Sequence, residues 1–142
     1  MVGMAVCPTL PQHMTTPDCV EHIIELDHPV PCVLAMGAWY KNTLCITSGH
    51  QAFISKCVGD LDTPEACHAH ERTARTLLEW LGDKPQAIAH DLHPDFHSSR
   101  FAAQLAAELD VPLIAVQHHH AHIAAVCAEH GVNDPVLGLA LD

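Results

Sequence analysis

The sequence predicts a mixed α/β fold in which a three-stranded antiparallel meander precedes alternating helices and parallel strands. Three observations carry that expectation. Short apolar runs with turn signals between them fill residues 30–58. From residue 62 onward, stretches of helical periodicity alternate with short apolar runs. The chain has 142 residues and is 49% hydrophobic, which suits one globular domain able to bury roughly 70% of its unfolded surface.

Residues 1–29 read as an irregular leader or linker, because Pro8, Pro11, Pro17 and Pro29 interrupt them, although "CVEHIIEL" admits a short helix or strand. Residues 30–142 form the predicted domain. "PCVLAMGAWY", "NTLCITSG" and "QAFISKCV" are the three meander strands. Asp62 with Glu65 three residues later fits a capping arrangement, and Pro64 suits the first turn of the helix that follows. Ala66, Thr73, Ala74, Leu77, Leu78 and Leu81 recur at helical spacing before Gly82 ends the run. Then come a strand at 86–91, an alanine-rich helix at 98–110, a strand at 112–117, a helix at 118–130 closed by Gly131, and a last strand at 136–141. The order βββ-α-β-α-β-α-β is that of ribonuclease H-like folds, shared by the halves of actin-like ATPases.

Charge narrows the partners. Six Lys and Arg against seventeen Asp and Glu give a formal charge of −11, which repels phosphate backbones, so neither nucleic acid nor a membrane surface is an expected partner. Fourteen histidines would carry the charge past neutrality if all were protonated. The seven cysteines form no CxxC pair and sit in apolar segments, which points to reduced thiols in a cytoplasmic compartment. No secretory signal pattern opens the chain, and no apolar run is long enough to span a bilayer.

Strands 86–91 and 112–117 are joined by one helix and should run parallel, with their carboxyl ends at the edge where open α/β sheets bind ligands. "HDLHPDFHSS", then "HHHAH", then Asp142 leave those ends. His118 and His122 are four apart on a predicted helix, so their Cβ atoms lie roughly 5–6 Å apart on one face. That spacing lets two imidazoles grip one metal, with Asp142, Asp91 or His93 available as a third ligand. The competing reading is a polar first turn whose imidazoles only cap backbone groups. His119 and His120 are expected to be exposed or outside the ligand set. "DLHPDF" is a loop stiffened by Pro94, or simply a turn capped by Asp91. Cys67, His68 and His70 read as the solvated face of a helix.

The segments "VLAMGAWYKNTLCIT", "GDL", "AHDLHPDFHSSRFA", "VQHHHAHIAAV", "AEHG" and "VLGLALD" occur in the order found in the HypF carbamoyltransferases, the maturation enzymes of [NiFe]-hydrogenases. The resemblance covers about residues 30–142 and is identified with the first half of the family's carbamoyl-transfer domain, which is similar to TsaD and has an actin-like ATPase fold. It implies that carbamoyl adenylate, made from carbamoyl phosphate and ATP in a separate YrdC-like domain, yields its carbamoyl group to the C-terminal cysteine of HypE. That group then becomes a cyanide ligand.

On this resemblance His118 and His122 ligate a divalent metal, zinc or iron. His93 and Asp95 lie at the reacting adenylate, and Lys41, Asn42 and Asp142 contact the nucleotide. Trp39 and Tyr40 stand where the family usually has an acidic residue and Leu. The expected partners are a HypE-like acceptor and a separate chain carrying the second half, because a lone half offers one wall of a cleft and little catalysis unaided. A non-catalytic metal-binding or interaction module derived from that enzyme is the alternative.

Overall fold

A computed structural model of the chain describes residues 15–82 and 84–141. The first fourteen residues of the predicted leader, and Asp142, lie outside the described residues. In chain order the elements are β1 (Val20–Val30), β2 (Val33–Ala35), β3 (Cys45–Ser55), α1 (Pro64–Leu81), β4 (Ala87–Asp91), α2 (His97–Leu109), β5 (Leu113–Val116) and α3 (His118–Glu129). They build one sheet in the order β1-β3-β2-β4-β5, with β2, β4 and β5 mutually parallel and the β1–β3 and β2–β3 pairs antiparallel.

The predicted meander is present inside β3. Eleven extended residues would reach about 36 Å, yet the Ser55 N–H donates to the Leu44 carbonyl at 2.8 Å and the Val58 N–H to the Asn42 carbonyl at 2.8 Å. The strand therefore reverses on itself near Gly49 (φ 58°), giving two arms. The first arm pairs with β2, with Leu34 opposite Ile46, and the second with β1, with Ile23 opposite Phe53. With the meander, the crossover helices and the parallel β2, β4 and β5 in place, the architecture is that of a ribonuclease H-like, actin-like ATPase half.

Three expectations about the elements need correction, as does one about His70. The segment read as an irregular leader contains the edge strand β1. Ile24 and Leu26 turn inward between exposed Glu25 and Asp27, and Pro29 is tolerated because an edge strand has N–H groups with no ladder to serve. The cap of α1 is Thr63, whose Oγ1 accepts the Ala66 N–H at 3.2 Å, because Pro64 holds the preceding residue extended (ψ 150°). The final predicted strand does not form. Residues 135–141 carry no regular structure, and α3 delivers them to the β1 side of the sheet, where no described strand pairs with them.

Helices α1 and α2 cover one face of the sheet. Leu34, Met36, Leu44, Ile46, Ile88, Leu77, Leu105 and Phe101 meet there with almost no exposure, and each contributes about 1.5–3 kcal/mol by leaving water. Across the other face runs α3, tied at its start to β4 through His118 and at its exit to β1, where Asn133 Nδ2 donates to Asp27 Oδ2 at 2.8 Å. Its twelve residues span about 18 Å, close to the four strand spacings, about 19 Å, between β4 and β1. No described helix is long and apolar enough to cross a membrane.

His70, read as part of a solvated face, is fully buried, because the apolar stripe Ala74, Leu77, Leu81 continues through it toward the start of α1. Its Nε2–H donates to the Met36 carbonyl at 2.9 Å, and its Nδ1 is buried without a partner. Burial pushes this imidazole below its ordinary value, against the opposing effects of the Met36 carbonyl and nearby Glu71, while the neighbouring His97 pushes it the same way. The unfolded chain thus binds a proton at His70 near pH 6.5 that the folded chain resists. Stability is expected to fall as pH drops below about 6.5, and the fall should be smaller in His70→Gln. Urea midpoints at pH 7.5 and 5.5 check this, and equal slopes for the two proteins would assign the acid sensitivity elsewhere.

Gly37 follows Met36 at φ 67°, and a Cβ there would sit 2.5 Å from the Thr43 carbonyl oxygen and 2.7 Å from Asn42 Nδ2. Gly82, the left-handed cap of α1 at φ 70°, has open space instead. Gly82→Ala should cost about 1–2 kcal/mol from backbone strain alone, and Gly37→Ala more than about 3 kcal/mol because a backbone carbonyl must also move. Urea unfolding of the two variants side by side measures the difference.

Candidate metal and nucleotide cleft

Because β2, β4 and β5 are parallel, the segments leaving their carboxyl ends gather at one edge. These are the 36–42 loop, the 92–96 loop and the start of α3. A cleft of about 530 Å³ opens between this edge and α3, lined among others by Tyr40, Lys41, Asn42, Asp91, His118 and His122. Its floor is small side chains of the sheet, Ala35, Cys45 and Ala89, and its roof is Ala121, Ala124 and Ala125 of α3. Burial pushes the Cys45 thiol up to about 11, so at neutral pH the cleft offers no thiolate from this residue.

Asp91, the last residue of β4, is the junction of the site. Its Oδ1 accepts the His93 N–H at 2.8 Å, which closes the turn into the DLHPDF loop. Its Oδ2 accepts from His118 Nδ1, also at 2.8 Å, and its side chain is only 9% exposed. A carboxylate can only accept, so His118 donates from Nδ1 and presents Nε2 as an acceptor lone pair. That lone pair faces His122, whose Nε2 lies 3.1 Å away.

Local sequence explains the start of α3. Gln117 is the N-cap, and its Oε1 accepts the His120 N–H at 2.9 Å. The helix then places residues 118, 121, 122 and 125 on the cleft side, while His119 and His120 are exposed.

The other expected residues are distributed as follows. His93 is exposed in the 92–96 loop and is not among the residues lining the cleft, its ring stacked on Phe96 at 4.3 Å and 6°. Its Nδ1 accepts the Asp95 N–H at 3.3 Å, so Nε2 carries the proton and points away from that bond. Asp95 is exposed in the same loop. Lys41 adopts a left-handed backbone (φ 44°) held by its N–H to Asp60 Oδ1 at 2.8 Å, which gives the GDL segment its place behind the loop. Asn42 lines the cleft but spends its amide donors inward, on the Met36 carbonyl at 3.0 Å and the Ala38 carbonyl at 2.8 Å. It braces the loop that carries Tyr40 and Lys41. His97 turns away toward Glu71 of α1, at 3.2 Å.

Of the three third-ligand candidates, Asp91 is engaged by the far nitrogen of His118, His93 is stacked in its loop, and Asp142 lies outside the described residues. Among the described residues no group of three or more His, Cys, Asp or Glu side chains is gathered to hold an ion. Sequence reasoning missed the Gln117 cap, the inward role of Asn42, and Ser98 and Ser99. Two serines opening a helix were the available signal, but a capping role would have been read from it.

The sequence fits the family described as the HypF Kae1-like domain over residues 28–129. It is 55% identical over 119 residues to carbamoyltransferase HypF2 of Cupriavidus necator, covering 84% of this chain and 15% of that protein. To carbamoyltransferase HypF of Rhizobium leguminosarum bv. viciae it is 45% identical over 119 residues, with the same two shares. Its structure superimposes on full-length HypF, crystallised in a phosphate- and nucleotide-bound form, with a TM-score of 0.76 at 41% identity, covering 84% of this chain and 16% of that one. The chain thus spans about 15% of the length of these curated relatives. Fold and sequence agree, and the chain belongs to the HypF carbamoyltransferase family, in the region of its Kae1-like domain.

Proposed function

We propose that this chain forms one wall of a carbamoyl-transfer cleft in [NiFe]-hydrogenase maturation, holding a divalent metal, zinc or iron, beside an ATP-derived carbamoyl adenylate. The observation that carries this reading is the pair of Nε2 atoms of His118 and His122, 3.1 Å apart at the cleft, with His118 anchored from behind by Asp91. The nitrogens suit one ion. Two nitrogens each about 2.0–2.1 Å from a tetrahedral zinc lie about 3.3 Å apart, and a carboxylate on the far nitrogen is the usual support of a metal-bound imidazole. The remaining ligands come from groups beyond those described.

An ion held there supplies Lewis-acid polarisation of carbamoyl or phosphate oxygens. The chain's own residues do the rest. Lys41 brings a positive charge to phosphate, and Asn42 holds its loop in place. His93 offers its Nε2–H, and Asp95 a carboxylate, from the exposed loop that leaves β4, to a reacting group that extends beyond the cleft's lining. The thiol that receives the carbamoyl group comes from a HypE-like acceptor, consistent with a Cys45 that burial keeps protonated. The opposite wall is supplied by a further part of the polypeptide or by a separate chain. The nucleotide- and phosphate-bound form of the HypF whose structure this chain matches supports the choice of ligand.

The purified chain, loaded with zinc or ferrous iron and desalted, is expected to retain about one metal per chain. The double variant His118→Ala/His122→Ala should retain none, and Asp91→Asn should weaken affinity roughly 10- to 100-fold. Metal analysis with circular dichroism as a folding control makes the test. A folded double variant that keeps as much metal as the wild type would sink the reading.

A further inference from the structure

The start of α2 carries two adjacent serines that do not cap it. The N-cap is Phe96, which makes no side-chain bond, and Ser98 and Ser99 are 0% and 4% exposed. Each hydroxyl reaches out of the helix to a different loop of the cleft. Ser98 Oγ donates to the Ala38 carbonyl at 2.9 Å, and Ser99 Oγ donates to the Asp91 carbonyl at 3.0 Å. Neighbouring helical residues point about 100° apart, so two consecutive serines on one rigid helix can serve two separate segments.

We infer that Ser98 and Ser99 are positioning residues that clamp the two halves of the cleft, the 36–42 loop and the Asp91–His118 anchor, to one helix at a set spacing. The inference rests on the metal reading above and adds the device that keeps its parts in register. The Ala38 carbonyl also accepts from Asn42 Nδ2 at 2.8 Å, so that loop is gripped from both sides. Asp91 is held at three points at once. Its carbonyl is bound by Ser99, its Oδ1 by the His93 N–H and its Oδ2 by His118. A turn of the peptide at Asp91 would swing the carboxylate off His118 and release the imidazole. Each serine has one hydroxyl proton, and each spends it on a carbonyl of the site rather than on its own helix.

The test separates the two prongs by measuring zinc affinity and amide hydrogen exchange on the full chain. In Ser99→Ala, zinc affinity should fall about tenfold and exchange should speed at residues 92–93, with residues 37–42 unchanged. In Ser98→Ala, exchange should speed about tenfold at residues 37–42, with zinc affinity within twofold of wild type. Ser98→Thr and Ser99→Thr retain the hydroxyl and should restore each property. A role confined to stability would instead move both readouts together in both variants, and that result, or no change in either, overturns the clamp. A wild-type chain that retains no zinc would overturn the metal reading, while the exchange pattern alone would still decide between two prongs and none.

Discussion

The hydrogen bond from His118 Nδ1 to Asp91 joins two elements that otherwise have little reason to stay together. Helix α3 buries none of its side chains fully, so hydrophobic packing, which holds α1 and α2 to the sheet, contributes little to its position. What fixes its first turn is a 2.8 Å bond to a carboxylate with 9% exposure, worth about 1.5–3 kcal/mol as a charge-assisted contact. The same bond sets the tautomer of His118, and with it the direction of the Nε2 lone pair that meets His122. Position of the helix and chemistry of the cleft therefore depend on one residue, the last of a buried parallel strand.

Much of this was legible because periodicity reports burial. The stripes of α1 and α2, the left-handed Gly82 and the short parallel strands follow from repeats of 3.6 and 2 that the core enforces. The turn at Gly49 follows from the turn signals between the apolar runs, and the parallel β4 and β5 from the single helix that joins them. Edge strand β1 was hidden because Pro17 before it and Pro29 within it look like linker sequence, whereas an edge strand needs only one side of its ladder. His70 was misread because an imidazole in an apolar stripe looks like an interruption. In the fold its single donor meets the Met36 carbonyl, which also accepts from Asn42 Nδ2, where β2 gives way to the loop.

The site divides along the same line. The His118–His122 pair was visible from a spacing of four, since the helix alone dictates that geometry. The turn capped by Asp91 was equally visible, but its bond to His118 and the roles of Asn42 and the two serines were not, because each depends on a partner 4 to 60 residues away that the fold supplies. Spacing reveals what one element carries, and the sheet topology decides what the loops bring to it. The 36–42 loop reaches the histidines because β2 lies beside β4 and runs parallel to it, a neighbour relation that sequence order does not state.

The cleft itself follows from composition. On the cleft-facing side of α3 the residues after His118 are Ala121, His122, Ala124 and Ala125, and beneath them the sheet offers Ala35, Cys45 and Ala89. Large side chains at those positions would let the helix and sheet interlock and would fill the space, as Leu77, Leu105 and Phe101 do on the opposite face. Alanines leave the helix standing off the sheet, held at its ends by His118 to Asp91 and by Asn133 to Asp27. That arrangement sacrifices the packing energy of a third helix, and in return a cavity of about 530 Å³ stays open beside the two imidazoles. The crowded histidines and the alanines among them are thus parts of one arrangement, the first bringing two imidazole nitrogens to the cleft and the second leaving the room beside them.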